Sequence, residues 1–176
     1  MTDRPAILNV ADSPYNRLSE RLGVLGIAFN VVPYPAHSTV EEGKILRGDM
    51  AGRFTRNLFL RDKKKRYFLV SVDEDRTLDL KLLAQKIDAR GHLSFASADS
   101  VGALLGVKPG ALTPLALIND ETNEVTPVID ASLMKHSQLN FHPLINTRSI
   151  GLSPQELLSF ISSCGKSAII ADFDTA

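Results

Sequence analysis

The chain has 176 residues, with 20 Lys+Arg against 20 Asp+Glu and 44% hydrophobic residues. That length suits one α+β domain over 1–176, and the balanced charge means an anionic partner must be met by a local patch. One cysteine, Cys164, excludes an internal disulfide and a Cys-based zinc site. With no apolar run of about eighteen residues and no signal-like N-terminus, a cytoplasmic protein without membrane spans is expected.

Ser13-Pro14 followed by Leu18, Leu22 and Leu25 predicts a first helix. Ala28 to Tyr34 reads as a strand, and the hydroxyl-then-acid run from Ser38 to Glu42 opens a helix reaching about Met50. Arg47-Gly48-Asp49 reads as a helix end with a glycine stop. Thr55–Leu60 and Tyr67–Val72 form a hairpin whose charged turn, Arg61 to Arg66, lies in water. Leu78 to Ile87 is helical with Asp79 in its first turn, Leu93 to Phe95 is a short strand, and Ser97 caps a helix ending near Leu105. Gly106, Pro109, Gly110 and Pro114 then shape a loop. Leu115–Asn119 and Val125–Ile129 follow as strands, and Asp130 to Lys135 is one helical turn. Leu139–His142, Arg148–Gly151 and Ala168–Phe173 are strands, with an amphipathic helix opening at Ser153-Pro154. The sum is a mixed, largely antiparallel sheet with flanking helices.

Neither a G-x-x-x-x-G-K-[ST] nor a G-x-G-x-x-G phosphate cradle is present, nor a G-x-S-x-G elbow. His37, His92, His136 and His142 lack compact metal spacing, so no metal or other cofactor is expected. Cys164, at a helix C-terminus, reads as structural. Lys63 to Arg66 is either a solvated turn or a phosphate contact. His142, held by Pro143 at a strand end, is either a packed histidine or a functional one. Asn57 breaks an apolar strand; it either bonds backbone or binds a ligand. It shares a face with Phe59, opposite Arg56 and Leu58.

Several blocks in order carry a more specific signal. These are Arg56 to Val70 (RNLFLRDKKKRYFLV), Leu93 to Ser97, Leu105 to Asp120 (LGVKPGALTPLALIND), Asn140 to Thr147 (NFHPLINT) and Gly151 to Phe160 (GLSPQELLSF). Together they resemble the YbaK/prolyl-tRNA synthetase editing-domain family, and within it the freestanding ProX-type members. The resemblance implies a metal-independent, cytosolic trans-editing aminoacyl-tRNA deacylase. It would clear alanine from proline tRNA and have tRNA, and prolyl-tRNA synthetase, as partners. The family's glycine-x-x-x-proline loop falls on Gly110, Ala111, Leu112, Thr113 and Pro114, and its strand histidine on His142. Arg56 stands where the family has a functional lysine. Arginine is larger and keeps its charge, so a catalytically silent tRNA- or synthetase-binding paralogue is the alternative.

On that reading the Gly110 and Ala111 amides stabilise the developing oxyanion. Arg56 anchors a phosphate or carbonyl, and His142 orients substrate or water. Asn57, Leu112, Thr113, Pro114 and Asn140 contact the substrate, Asn57 at its terminal ribose or adenine.

Overall fold

The computed structural model describes residues 14–35, 37 and 39–174. Its centre is the hairpin of β2 (Arg53–Arg61) and β3 (Tyr67–Asp73), in register from Thr55 opposite Asp73 to Arg61 opposite Tyr67. Successive strand side chains point to opposite faces. Phe59 and Leu69 therefore enter one core, while Leu60, Phe68, Val70 and Val72 enter a second. The strand is apolar on both faces because both are covered.

The other strands are β1 (Val31–Pro33), β4 (Ser94–Phe95), β5 (Val125–Asp130), β6 (Leu139–Phe141), β7 (Arg148–Leu152) and β8 (Ile169–Ala171). They form one sheet in the order β1-β7-β6-β2-β3-β5-β8, with β4 beside β2. Four of the seven pairings are antiparallel; β2–β6, β3–β5 and β5–β8 are parallel. The sheet is thus mixed, as expected.

Helices α1 (Pro14–Val24), α4 (Ala98–Leu105) and α5 (Pro154–Ser163) bury Leu18, Leu22, Leu105 and Phe160 in the first core. Helix α3 (Leu80–Lys86) covers the second with Leu83. Ser153 and Glu156 close a reciprocal capping box on α5, and Thr39 and Glu42 do so on α2 (Val40–Arg47). Each such cap is worth about 1 kcal/mol. Asp79 is the N-cap of α3, one position before the first turn expected for it. Gly48 ends α2 with φ 54°, as its place after Arg47 predicts. Ser13 lies outside the described residues.

Three expectations change. Residues 115–119 are not a strand: Pro114–Asn119 is a 3-10 helix, buried from Pro114 to Ile118. A short all-apolar run fits a buried helix as well as a strand. Thr113 decides it, its Oγ1 accepting from the Leu115 amide with Pro114 at the first position. The first strand shrinks to Val31–Pro33, an edge strand paired with β7 alone among the described residues; its proline is tolerated there, and Ala28 to Asn30 lie outside the pairing. The hairpin turn is not wholly in water, since Asp62 is buried beneath it. Its carboxylate accepts from the amides of Lys64, Arg66 and Arg90 and from the Arg66 guanidinium.

Candidate functional site

The first-core face of β2 carries Asn57 toward β6 and the residue that follows it, His142. Asn57 is not a free ligand-binding amide. Its Nδ2 donates to the Leu112 carbonyl at 3.1 Å and its Oδ1 accepts from Ser71 Oγ at 2.6 Å. It thereby ties the glycine–proline loop to the central hairpin, leaving one amide hydrogen for a further acceptor.

His142 is fixed equally well. Its Nδ1 lies 3.1 Å from the Arg148 carbonyl and 3.2 Å from Tyr34 Oη. A carbonyl only accepts, so Nδ1 carries the hydrogen and Nε2 is left as the acceptor. Burial pushes the His142 pKa below the ordinary value, and the charges of His37 and Arg47 push the same way, against the bond to Arg148. The imidazole is neutral at pH 7. Tyr34, also buried, contacts Ser149 Oγ at 2.7 Å and donates to the Arg148 carbonyl; burial raises its pKa.

Asn57, His142, Tyr34, Ser149 and Asn140 line one narrow cleft of about 40 Å³, closed by His37, Arg47, Phe54, Thr55 and Phe141. That is room for about one water or a methyl-sized group. The cation in this cleft is Arg47. It forms a two-pronged ion pair with Glu74 (3.0–3.1 Å) and its guanidinium carbon sits 3.6 Å from the Phe54 ring centre. The sequence reading passed over Arg47, Tyr34 and Ser149. Arg47 was readable only as a helix end, and nothing local ties α2 to β2.

Arg56 does not reach this cleft. Its neighbour Asn57 faces the first core, so Arg56 faces the other side, where Nη2 donates to the Arg76 carbonyl at 2.8 Å. Arg76 is itself held by Asp130 and Asp174. Asn140 is turned to support: its Nδ2 donates to the Ala51 carbonyl and its Oδ1 accepts from Gln138.

The glycine–proline loop forms the wall of a second cavity of about 550 Å³, lined by Val107, Lys108, Gly110, Ala111 and residues 144–147. Pro109–Ala111 is one 3-10 turn, whose Ala111 amide donates to the Lys108 carbonyl and whose Leu112 amide donates to that of Pro109. Pro109 has no N–H, so Gly110 carries the first amide of the turn with no partner inside it. The loop therefore offers Gly110 as a donor and keeps Ala111 for itself. Leu112 contributes its carbonyl to Asn57; Thr113 and Pro114 are buried in the cap of the following helix. No residue lines both cavities, but two hydrogen bonds link their surroundings: Asn57 to the carbonyl of Leu112, which follows Ala111, and the Tyr34 amide to the Thr147 carbonyl.

Among the described residues, no three His, Cys, Asp or Glu side chains gather as a metal set, and no helix is long and apolar enough to cross a membrane.

Comparison with known proteins finds relatives along most of the chain. "Prolyl-tRNA synthetase associated domain-containing protein 1" of Bos taurus is 38% identical over 161 residues, covering 89% of this chain and 94% of that protein. "Prolyl-tRNA editing protein ProX" of Acetoanaerobium sticklandii is 35% identical over 146 residues, covering 82% and 88%. A crystal structure described provisionally as a trans-editing enzyme for prolyl-tRNA synthetase superposes with a TM-score of 0.69 at 20% identity, covering 92% of this chain and 98% of that one. At that identity the likeness speaks for the fold alone. Residues 35–160 match the sequence profile of the aminoacyl-tRNA editing domain, and the chain belongs to that family.

Proposed function

We propose that the protein is a trans-editing deacylase that hydrolyses alanyl-tRNA for proline. It would act in the cytoplasm as one domain over 1–176, without metal or other cofactor, on tRNA charged by prolyl-tRNA synthetase. The observation that carries this reading is the cleft of about 40 Å³ between Asn57 and His142, beside the Gly110 loop. A cleft of that size suits a methyl group better than a prolyl ring, which supports its reading as the second sieve a proline enzyme needs against a smaller amino acid.

The ester is already reactive, so the protein's work is positioning and charge stabilisation. Water adds to the ester carbonyl. The bond from that carbon to the ribose oxygen breaks, giving free alanine and a ribose hydroxyl. The Gly110 amide stabilises the charge on the carbonyl oxygen. Neutral His142 offers Nε2 as an acceptor to hold the water or the neighbouring ribose hydroxyl, and the remaining Asn57 amide hydrogen holds the ribose. Arg56 acts from the other face as a support.

A second reading, a catalytically silent tRNA- or synthetase-binding paralogue, is favoured by one observation. Arg56, which takes the place of the family's lysine, is engaged with the Arg76 carbonyl away from the cleft. A panel of mischarged tRNAs decides between them. Alanyl-tRNA for proline should be hydrolysed well above the buffer rate and prolyl-tRNA spared. Buffer-level rates across the panel with retained tRNA binding select the silent paralogue.

A further inference from the structure

The turn between β2 and β3 gathers five of the chain's 20 Lys+Arg into six residues, Arg61 to Arg66, although the whole chain is balanced in charge. Its one acid, Asp62, does not neutralise the outer surface. That carboxylate is fully buried and is spent on the amides of Lys64, Arg66 and Arg90 and on the Arg66 guanidinium. The other four cations, Arg61, Lys63, Lys64 and Lys65, are exposed and have no carboxylate partner among the described residues. The turn is also built to a fixed shape. Lys65 stands at φ 60°, and the Lys63 amide donates to the Arg90 carbonyl. The stem of Lys63 lies across Gly91, where an added Cβ would come within 2.6 Å of Lys63 Cδ. Arg90 adds a cation beside the turn; its carboxylate, Asp88, is 3.7 Å away and both side chains are mostly exposed, so the pair neutralises little.

We infer that this turn is a docking surface for a nucleic-acid backbone, the phosphates of the tRNA acceptor stem next to its 3′ end. The turn and the candidate site share a strand. Arg61 and Asn57 are four residues apart on β2, so they share a face and stand about 13 Å apart at about 3.3 Å per residue. Strand β4 pairs with Leu60 and Arg61, and α4 leads from it to Lys108 and the Gly110 loop. A stem held at the turn would therefore lie a short way from an ester held in the cleft. Lysine is a point charge with rotatable donors, which holds a phosphate without reading a base. Duplex RNA hides its base edges in a deep, narrow major groove and presents its backbone instead. The contact adds affinity and leaves the reacting atoms untouched. The choice of tRNA as the polyanion rests on the deacylase reading; the backbone-binding surface itself does not.

The test begins without turnover. Uncharged proline tRNA is titrated with the full chain and followed by fluorescence anisotropy over a range of salt. Combining Lys63→Gln, Lys64→Gln and Lys65→Gln should weaken binding about tenfold or more near 0.1 M salt and make the salt dependence shallower by about two to three ions. Lys64→Gln alone should remove about one ion from that slope, which keeps the test open if the triple variant melts early. In hydrolysis the triple variant should raise KM for the tRNA ester with little change in kcat. Turnover of alanyl-adenosine, which has no stem, should not change. Unchanged affinity and slope overturn the inference. So does an equal loss in Lys81→Gln, an exposed position on α3 over the second core, because it would mean a diffuse charge effect. Competition by polyglutamate as strong as by tRNA would assign the turn to an acidic protein and likewise overturn it. Binding of tRNA through the turn without hydrolysis of any ester sinks the deacylase reading and leaves the surface standing. Hydrolysis with an unchanged KM in the triple variant sinks only the surface.

Discussion

The Nδ1 of His142 and the carbonyl oxygen of Arg148 lie 3.1 Å apart, which fixes the tautomer of a half-buried histidine in a closed cleft. Burial, its largest influence, favours the neutral form and lowers its pKa. The unfolded chain binds the proton more readily, so between the ordinary value of about 6.5 and the depressed folded value the unfolded state carries more protons. The stability this residue supports is present above that window and falls as pH drops through it. A proton-NMR titration should place the His142 midpoint below 6.5; a midpoint at or above it would mean the ring is not desolvated as described. Deacylation should hold its rate as pH falls from 8 to 6.5, because the neutral ring persists.

Gly110 has an ordinary backbone, and an added Cβ would meet nothing nearer than Asn146 Nδ2 at 3.7 Å. Alanine thus fits the fold and restricts the unfolded chain, which is neutral or stabilising by up to about 1 kcal/mol. The methyl would nevertheless project beside the one free amide of the turn. Gly110→Ala should keep its melting temperature and lose turnover about tenfold or more, the scale of a lost oxyanion contact. Thermal melts beside single-turnover hydrolysis measure both. A clear fall in melting temperature would show that the glycine is required by the fold instead.

Much of the architecture was readable because local signals and burial agree. Ser153-Pro154 with Glu156, Ser97 and Thr39 with Glu42 all cap the helices they predict. A hydroxyl residue before proline also stands at Thr113-Pro114, and the apolar run after it, which reads as a strand, is a buried 3-10 helix. The site was readable only where one strand's alternation decided it, as in the opposition of Asn57 and Arg56. Arg47 and Tyr34 reach the cleft through partners 27 and 115 residues away, Glu74 and Ser149, and no local pattern encodes such pairings.

Arg56 gives the third prediction. Its guanidinium bonds the Arg76 carbonyl on the face opposite the cleft. Arg56→Lys should leave kcat within about threefold, because no contact to the reacting atoms changes and one neutral-acceptor bond is re-formed or lost. Arg56→Ala should cost about 1–3 kcal/mol in urea unfolding, mainly through the Arg76 segment. A gain of tenfold or more in Arg56→Lys would mean that a lysine here reaches the cleft and that arginine silences the enzyme.

The last prediction concerns the buried carboxylate under the hairpin turn. Burial alone would raise the Asp62 pKa, but the amides of Arg90 and Arg66 and the Arg66 guanidinium outweigh it and hold the group below its ordinary value. A depressed carboxylate stabilises the fold above the unfolded value and loses that contribution as pH falls through the folded one. Asp62→Ala leaves three amides without their acceptor, so it should cost about 2–4 kcal/mol at pH 7. The gap between wild type and Asp62→Ala should narrow as pH falls below the ordinary carboxylate range of about 3.9, measured by urea unfolding at each pH. Because the turn holds Arg90 against Lys63, amide exchange should quicken at both loops together. A gap that stays constant with pH would show that Asp62 supports the turn by packing rather than by its charge.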